Sequence, residues 1–270
     1  MPLEQIIILA IIQGVTEFLP ISSSGHLILV PELAGWADQG LLTDVMVHMG
    51  SFAAVVVYFW RDLLRLAIGG LNILRGRITD DGRLALYILT ATVPAVLFGI
   101  AVKMSGLIDH VRGAEIVAWN AIIFAGIMFA GDRWGAMRRR VEDMKLAPAV
   151  LIGMAQAIAI IPGVSRSGIT MTAARALGFT RPEAARFSFL LGVPAIAGAG
   201  VLVIGEALKQ GATISADSMW TGLLTFFTAL ASIAFLMKVL QRYSLTAFVI
   251  YRIGLGITLL VLIHRGTIPA

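Results

Sequence analysis

The sequence predicts an all-α polytopic membrane protein with six transmembrane helices and two re-entrant helical hairpins. Of its 270 residues, 58% are hydrophobic and 14% are charged, against about 45–50% and about 25% in soluble domains. A soluble core of this length could not bury so much apolar surface. Long unbroken apolar runs favour helices over the alternating strands of a β-barrel. The absence of cysteine excludes disulfides, thiolate metal sites and a cysteine nucleophile.

Six apolar segments are predicted to cross the membrane. They are residues 45–60, 84–102, 116–131, 187–205, 218–237 and 246–264. The shorter ones are expected to extend at their ends, because a perpendicular helix needs about 17–25 apolar residues. Trp60, Trp119, Trp134 and Trp220 lie at or near these ends, where interfacial aromatic residues are common.

Two further apolar regions, residues 1–44 and 148–180, are interrupted by PISSSGH (20–26) and PGVSRSG (162–168). The helical pieces on either side, of roughly 15 residues, are too short to cross separately. Irregular backbone at membrane depth is tolerated only inside protein or beside water. Each region is therefore predicted to be a re-entrant hairpin that enters and leaves on one side.

The distribution of basic residues agrees with this layout. One predicted side, residues 61–83, 132–147, 180–186 and 238–243, holds 14 Lys and Arg. The other side, residues 1–44, 103–115, 206–217 and 264–270, holds four. The positive-inside rule makes the first side cytoplasmic and places both termini outside. The net charge of +5 does not indicate a nucleic-acid partner, since no soluble domain carries a basic face.

The predicted single membrane domain, residues 1–270, divides into two repeats, about 1–135 and about 146–270. Each is one hairpin followed by three spans, so the second is inverted relative to the first. Such folds place their sites near the midplane, where the repeats meet. An offset of 143 aligns Gln13 with Gln156, Ser22 with Ser165, Ser24 with Ser167 and Gly25 with Gly168.

An acidic residue lies three positions before the first interruption. Gln13 and Glu17 are four residues apart and share a helix face. A carboxylate within an apolar run is costly and usually functional. The alternative is a protonated glutamate that is hydrogen-bonded to a neighbouring helix.

Ser22, Ser23, Ser24 and Gly25 form a small polar loop at a helix start, and His26 follows directly. The free backbone N–H groups of Ser22, Ser23, Ser24 and Gly25 are suited to an anion, although simple N-capping by serine is the alternative. His26 could act as acid, base or nucleophile, or be an ordinary hydrogen-bonding residue.

The second interruption places Arg166 between Ser165 and Ser167, with Thr170 one turn later. An arginine fork binds phosphate, and at a hairpin tip it needs an anionic partner. That partner is either a ligand or Glu17.

His48 lies within a span, where it either lines the cavity or satisfies a backbone group. A phosphate of a lipid is the ligand that best fits these groups.

The segments QGVTEFLPISSSGHL and PGVSRSGIT together resemble the two signatures of the undecaprenyl-diphosphate phosphatase (bacitracin-resistance) family, in motif order, spacing and chain length. The resemblance implies hydrolysis of the terminal phosphate of undecaprenyl diphosphate in the bacterial cytoplasmic (inner) membrane. It also implies recycling of the carrier lipid for cell-wall synthesis, resistance to bacitracin, a site open to the outer side and activity with Mg²⁺ or Ca²⁺.

Residue by residue, the family's motifs put its catalytic positions on Glu17, Ser23, His26 and Arg166. The positions expected to bind substrate are Gln13, Ser22, Ser24, Gly25, Ser165, Ser167 and Thr170. The family has Glu or Gln at position 13, and this chain has Gln13, so this position supplies no second carboxylate for a metal site. Mg²⁺ or Ca²⁺ would depend on Glu17 and the substrate phosphates.

Three questions stay open at the level of sequence. The nucleophile is His26, a serine (Ser23 first) or water. A transporter or flippase of a prenyl-phosphate lipid is the second hypothesis, because it needs a phosphate site but no nucleophile. Besides the polyprenyl diphosphate substrate and membrane lipid, a second copy of the chain, forming a homodimer, is a candidate partner.

Overall fold

The computed structural model describes residues 1–36, 40–106, 113–209, 213 and 215–268, without the side chains of residues 24, 28, 31–33 and 208. These residues form α-helices joined by short connections. The helices are α1 (Leu3–Thr16), α2 (Ser23–Ala34), α3 (Leu41–Tyr58), α4 (Trp60–Leu74), α5 (Asp80–Ser105), α6 (Ala114–Trp134), α7 (Leu146–Ile158), α8 (Arg166–Ala176), α9 (Arg181–Lys209), α10 (Ala216–Val239) and α11 (Thr246–His264).

The prediction of six spans is confirmed. Helices α3, α5, α6, α9, α10 and α11 are long and apolar enough to cross a membrane. Helices α5 and α9 extend several residues beyond the predicted apolar cores, to Asp80 and Arg181. At the start of α5, Thr79 Oγ1 accepts the N–H of Gly82 at 3.1 Å. A cap of this kind lets a helix begin in the polar interface, before its apolar core.

Helix α4 was not predicted, because its region was assigned only to the cytoplasmic side. Its sequence, WRDLLRLAIGGLNIL, places apolar residues three and four positions apart and puts Arg61 and Arg65 among them. This is the pattern of an amphipathic helix that lies along a membrane surface rather than crossing it. Leu64, Ile68 and Leu71 are about half exposed on α4, which agrees with that reading.

Both interrupted regions form pairs of short helices, as the sequence predicts. Helices α1 and α2 flank the first interruption, and α7 and α8 flank the second. Helices α1 and α7 are apolar but shorter than the six spans. Their re-entrant course through the bilayer remains a prediction.

The two halves pack in a matching way. Helix α1 packs against α10, whereas α7, its counterpart in the second half, packs against α5, the counterpart of α10. Gly14 lies so close to α10 that a Cβ atom there would overlap Thr228, and Gly153 lies equally close to the backbone of Ala91 on α5. Small residues allow such close helix packing in membranes. An inverted repeat would place α1 against α10 and α7 against α5, as observed. The inverted repeat itself remains a prediction.

Ion pairs near the helix ends join segments that the sequence assigned to one side. The amino group of Met1 pairs with Asp217, and Lys103 pairs with Glu206 at 2.8 Å. All four residues belong to segments predicted to face outside. This agreement is expected if each hairpin enters and leaves on one side.

A buried carboxylate organises the opposite end of the bundle. Asp132, at the end of α6, accepts from Arg175 Nε at 2.9 Å, from Arg181 Nε at 2.8 Å and from the N–H of Leu245 at 3.1 Å. Its side chain is 6% exposed and that of Arg175 is fully buried. One acid therefore ties α6, α8, α9 and the start of α11 together.

Replacing Asp132 by Ala should strongly destabilise the protein, because two arginines lose their carboxylate partner. Removing one partner of a buried pair costs about 3–5 kcal/mol. We expect a clear drop of the thermal unfolding midpoint in detergent. Asp80→Ala is the control, since Asp80 is 99% exposed where it pairs with Arg83. Equal midpoints for the two variants would contradict the role given to Asp132.

Candidate active site

An ion pair between Glu17 and Arg166 joins the two interrupted regions, residues 1–44 and 148–180. Glu17, one residue beyond α1, receives a hydrogen bond from Arg166 Nη2 on its Oε1 at 2.9 Å. Arg166 is the first residue of α8. The side chains of Glu17 and Arg166 are 8% and 16% exposed. The structure therefore brings together Glu17 and Arg166, the two charged residues that the sequence predicts to be costly in an apolar setting.

The second oxygen of Glu17 is a meeting point of polar side chains. Oε2 accepts from Ser23 Oγ at 2.8 Å and from Gln13 Nε2 at 3.1 Å. His48 Nε2, from α3, lies 3.9 Å from the same oxygen. Both oxygens of the carboxylate are thus occupied, and a serine hydroxyl is held against it.

The turns that create this geometry are strained in the same way. Ser22 and Ser165 have φ angles of 75° and 71° and are the non-glycine residues with positive φ in the described ranges. They are equivalent under the offset of 143. Ser165 Oγ accepts the N–H of Gly168 at 3.2 Å and so caps α8. Backbone strain of this kind clusters at functional sites, where surrounding contacts maintain it.

A cavity of about 440 Å³ opens beside these groups. Its polar wall carries Glu17, Ser22, Ser23, Ser165 and Arg166. The remaining lining is Thr16, Leu41, Asp44, Val45, His48, Met49, Ala159, Ala195, Ile196, Ala199, Gly200 and Val203. Thr16, Asp44 and His48 are polar, and the rest of this remaining lining is apolar.

Arg166 and Gln13 keep unused hydrogen-bonding capacity at this site. Arg166 Nη1 and Gln13 Oε1 are buried and have no hydrogen-bond partner among the described residues. Buried polar atoms are normally paired, and an unpaired guanidinium nitrogen is suited to an anion. Gln156, the counterpart of Gln13, is also buried, with neither amide atom paired within the described part of the chain.

The remaining predicted residues pack around the site, and Ser167 joins the second interrupted region to the first. Ser167 Oγ lies within hydrogen-bonding distance of the carbonyls of Glu17 and Leu19, at 3.2 and 3.3 Å. Thr170 Oγ1 donates to the carbonyl of Arg166 at 2.7 Å. Gly25 packs against α6, where a Cβ atom would come within 2.9 Å of Val117. The side chain of Ser24 lies outside the described residues.

His26 faces a different region. Its Nδ1 lies 2.7 Å from the carbonyl of Ser22, and its Nε2 lies 2.6 Å from the hydroxyl of Tyr251 on α11. It lines an apolar groove that includes Ile12 and Phe248, and it is not among the described residues that line the cavity of Glu17. The structure thus separates His26 from the other predicted catalytic residues, and it brings His48 to them.

Arg252, on α11, is a residue whose role the sequence reasoning missed. It is 1% exposed, and its guanidinium donates to backbone carbonyls of both tips, including Val164 and Gly163 at 2.9 Å and Pro20 at 3.4 Å. It also reaches carbonyls of α6. An arginine within a span was the available signal, because intramembrane charges usually have a task.

The described residues do not form a metal site on their own. They contain no group of three or more His, Asp or Glu side chains placed to hold a metal ion. Glu17 is the acidic side chain at the tips, and its oxygens are already bonded to Arg166, Ser23 and Gln13. Its role as a ligand of Mg²⁺ or Ca²⁺ therefore remains a prediction.

Comparison with known proteins gives a consistent result over the whole chain. A family model described as bacitracin resistance protein BacA matches residues 6–258. The undecaprenyl-diphosphatase of Erythrobacter litoralis is 45% identical in an alignment of 278 positions that spans 95% of this chain and 98% of the relative. The undecaprenyl-diphosphatase of Maricaulis maris is 46% identical over 266 residues, with coverage of 97% and 99%.

Adding a methyl group at Gly192 should disable the anion site. Gly192, on α9, leaves the space that Arg166 Nη1 occupies, and a Cβ atom there would overlap that nitrogen. We expect Gly192→Ala to weaken the binding of inorganic diphosphate at least about tenfold, roughly the contribution of one charge-assisted hydrogen bond, as measured by titration calorimetry. Gly198→Ala is the matched control on the same helix, because nothing lies within 4 Å of its added Cβ. Equal affinities in the two variants would contradict this assignment.

Proposed function

The chain belongs to the family of the bacitracin resistance protein BacA, and we propose that it hydrolyses undecaprenyl diphosphate at the cavity between its two hairpin tips. The products are undecaprenyl phosphate and inorganic phosphate. The reaction recycles a carrier lipid for cell-wall synthesis and gives resistance to bacitracin. The observation that carries the proposal is the carboxylate of Glu17, which holds the Ser23 hydroxyl and the Arg166 guanidinium at the wall of one cavity.

We propose that Arg166 binds the diphosphate. Its buried Nη1 has no partner among the described residues, and Nη2 is oriented by Glu17. A guanidinium stabilises the charge that spreads over the oxygens of a transferring phosphoryl group. Arg166 is also the first residue of α8, and a helix N-terminus favours a negatively charged ligand.

Ser23 is the proposed nucleophile. Its hydroxyl donates to Glu17 Oε2 at 2.8 Å and lines the cavity. As Ser23 Oγ forms a bond to the terminal phosphorus, its proton passes to the carboxylate. The bond from that phosphorus to the bridging oxygen breaks, and undecaprenyl phosphate leaves with the electron pair. Water then hydrolyses the phosphoserine, and the serine oxygen recovers a proton.

For His26 we propose a supporting role. Its two ring nitrogens are engaged by Ser22 and Tyr251, which supports a function in fixing the strained turn at Ser22 rather than in attack on phosphorus. Mg²⁺ or Ca²⁺, where the enzyme requires it, is proposed to enter with the diphosphate. No step above depends on the metal.

We propose that the protein resides in the bacterial inner membrane with both termini and the cavity facing outside. The cavity is lined by the beginning of α3 and by the end of α9, and both ends belong to the side that is poor in Lys and Arg. Labelling of single introduced cysteines from each side of the membrane tests this orientation.

The homodimer remains a prediction that the mass of the purified protein in detergent would test.

Purified protein in detergent should release phosphate from undecaprenyl diphosphate, and Arg166→Ala should lower kcat/KM by about 10³-fold or more because phosphoryl charge loses its main partner. Arg133→Ala is the control, since Arg133 is an exposed arginine at the end of α6. Reactions run with and without Mg²⁺ or Ca²⁺ test the metal. No release by folded wild-type protein under any condition would favour the flippase, whose function needs two compartments.

Single-turnover quenching should trap a phosphoenzyme on Ser23. We expect Ser23→Ala to abolish the trapped species and to lower turnover by at least about 10³-fold, as for loss of a nucleophile. His26→Gln, compared in parallel, should still form it. A label that maps to His26, or no label while turnover continues, would rule out the phosphoserine mechanism.

A further inference from the structure

Helix α4 presents two apolar faces, and the described residues cover one of them. Gly69 lies so close to α5 that a Cβ atom there would overlap the backbone of Gly82. Leu63 and Leu66, on the preceding turn, pack against the main hydrophobic core. The other face carries large apolar side chains that are about half exposed, namely Trp60, Leu64, Ile68 and Leu71.

The spacing of these residues sets the orientation of the helix. Leu64, Ile68 and Leu71 repeat at four and three positions and form one stripe, roughly opposite the side of Gly69. The polar residues of the helix form an edge between the two faces, as Arg61 and Asn72 show. A helix that packs on protein on one side and offers an apolar stripe beside a polar edge suits the boundary between head groups and acyl chains.

The segment around α4 also carries positive charge that the protein does not neutralise. Each aspartate between residues 60 and 83 is paired with a different arginine, in the pairs Arg65–Asp81, Arg83–Asp80 and Arg186–Asp62. The remaining arginines of the segment are exposed and form no ion pair with a described residue: Arg61, Arg75 and Arg77. Three charges are therefore available to an external anion.

At the start of α4, one of these charges is combined with an aromatic ring. The guanidinium of Arg61 lies 5.3 Å from the centre of the Trp60 ring. Both residues are exposed on the surface of the protein. Tryptophan is enriched at the membrane interface, and a guanidinium forms paired hydrogen bonds with phosphate. This end of the helix therefore fits the head-group region of a phospholipid.

At the end of α4, a fixed turn positions the other two charges. Gly76 has a φ angle of 75°. Its N–H donates to the carbonyl of Ile73, and the N–H of Arg77 donates to the carbonyl of Asn72, both at 2.8 Å. These two bonds define a Schellman motif, which closes a helix and orders the residues just beyond it. The two arginines on either side of Gly76 thus flank an ordered turn.

We propose that α4 is a binding surface for anionic phospholipids, with acyl chains against its exposed apolar stripe and phosphates at Arg61, Arg75 and Arg77. An acidic head group matches these unneutralised charges, whereas a zwitterionic one brings a positive charge of its own beside them. A helix of 15 residues is about 22 Å long, so its two ends reach separate lipids. The proposal does not depend on the hydrolysis of undecaprenyl diphosphate.

The test uses the full chain with Trp60 as its single tryptophan and Phe in place of the other four, in vesicles of phosphatidylcholine and phosphatidylglycerol. Bromine on the acyl chains of one lipid or the other quenches tryptophan fluorescence on contact. We expect the quenching to show phosphatidylglycerol enriched about fivefold at Trp60, the effect expected of one arginine at an anionic surface. Both leaflets have the same composition, so the orientation of the protein does not affect the result.

Salt gives a second measurement on the same protein. Raising the ionic strength from about 0.1 M to about 1 M shortens the Debye length from about 10 Å to about 3 Å. The enrichment at Trp60 should fall, because the three arginines are exposed. An enrichment that salt does not change would contradict attraction between the arginines and the head groups.

A second reporter locates the effect on the protein. In this control Trp220 is the single tryptophan, which is 59% exposed near the start of α10. It should show no preference between the two lipids, since the preceding segment, residues 206–217, holds one basic residue. An equal enrichment at both reporters would overturn the assignment to α4.

A matched pair of triple variants separates the arginines of α4 from net charge, with Trp60 as the reporter. The first variant neutralises the proposed surface and should lower the enrichment to about onefold: Arg61→Gln, Arg75→Gln and Arg77→Gln. The second removes the same charge from another exposed run and should keep the enrichment: Arg138→Gln, Arg139→Gln and Arg140→Gln. Equal loss in the two variants would assign the effect to net charge and overturn the proposal.

Two further outcomes would also overturn it. Equal quenching by the two lipids would show contact with lipid of any charge, and quenching by neither would show that protein, such as a second copy of the chain, covers Trp60. Thermal unfolding of each variant shows whether the fold is kept. Where the single-tryptophan protein does not fold, the difference in quenching between the wild type and Trp60→Phe gives the same comparison. Phosphate release enters none of these measurements, so the lipid surface and the phosphatase function are tested separately.

Discussion

The ion pair between Glu17 and Arg166 is the contact on which the central architecture depends. Either charge alone would be costly in so buried a position, where the two side chains are 8% and 16% exposed, and each stabilises the other at 2.9 Å. The pair also holds two interrupted helices against each other, and interrupted helices leave backbone groups that need partners. Arg252 supplies partners for carbonyls of both tips. The Glu17–Arg166 pair and Arg252 thus hold the two interrupted regions against each other.

The two interrupted regions contribute different chemical groups to the site. Under the offset of 143, Arg166 is the counterpart of Ser23, and both bind the carboxylate of Glu17. The counterpart of Glu17 is Ile160, and that of His26 is Ile169. The strained turns at Ser22 and Ser165 match under this offset, whereas the polar residues at these other aligned positions differ. The first segment supplies the carboxylate and the second supplies the guanidinium, and both line one cavity.

Sequence reasoning reached the spans and the central pair for a clear physical reason. Apolar length predicts a membrane helix, and a charge inside an apolar run predicts a partner, as with Glu17 and Arg166. The direction of a side chain on a short helix depends on how that helix crosses its neighbours, which no local pattern specifies. His26 therefore points to Tyr251, and His48, from a distant span, takes the place beside Glu17. Helix α4 was missed because its polar residues made the region resemble a loop.

The distance in sequence between the paired charges has a consequence for biogenesis. Glu17 and Arg166 are 149 positions apart, and synthesis delivers the amino-terminal half first. A nascent chain therefore inserts its acid into the bilayer long before the matching base has been translated. Until then the carboxyl group must stay protonated or in contact with water, because an unpaired carboxylate in lipid is unfavourable. The ion pair between Glu17 and Arg166 can therefore form only after the second interrupted region has been synthesised.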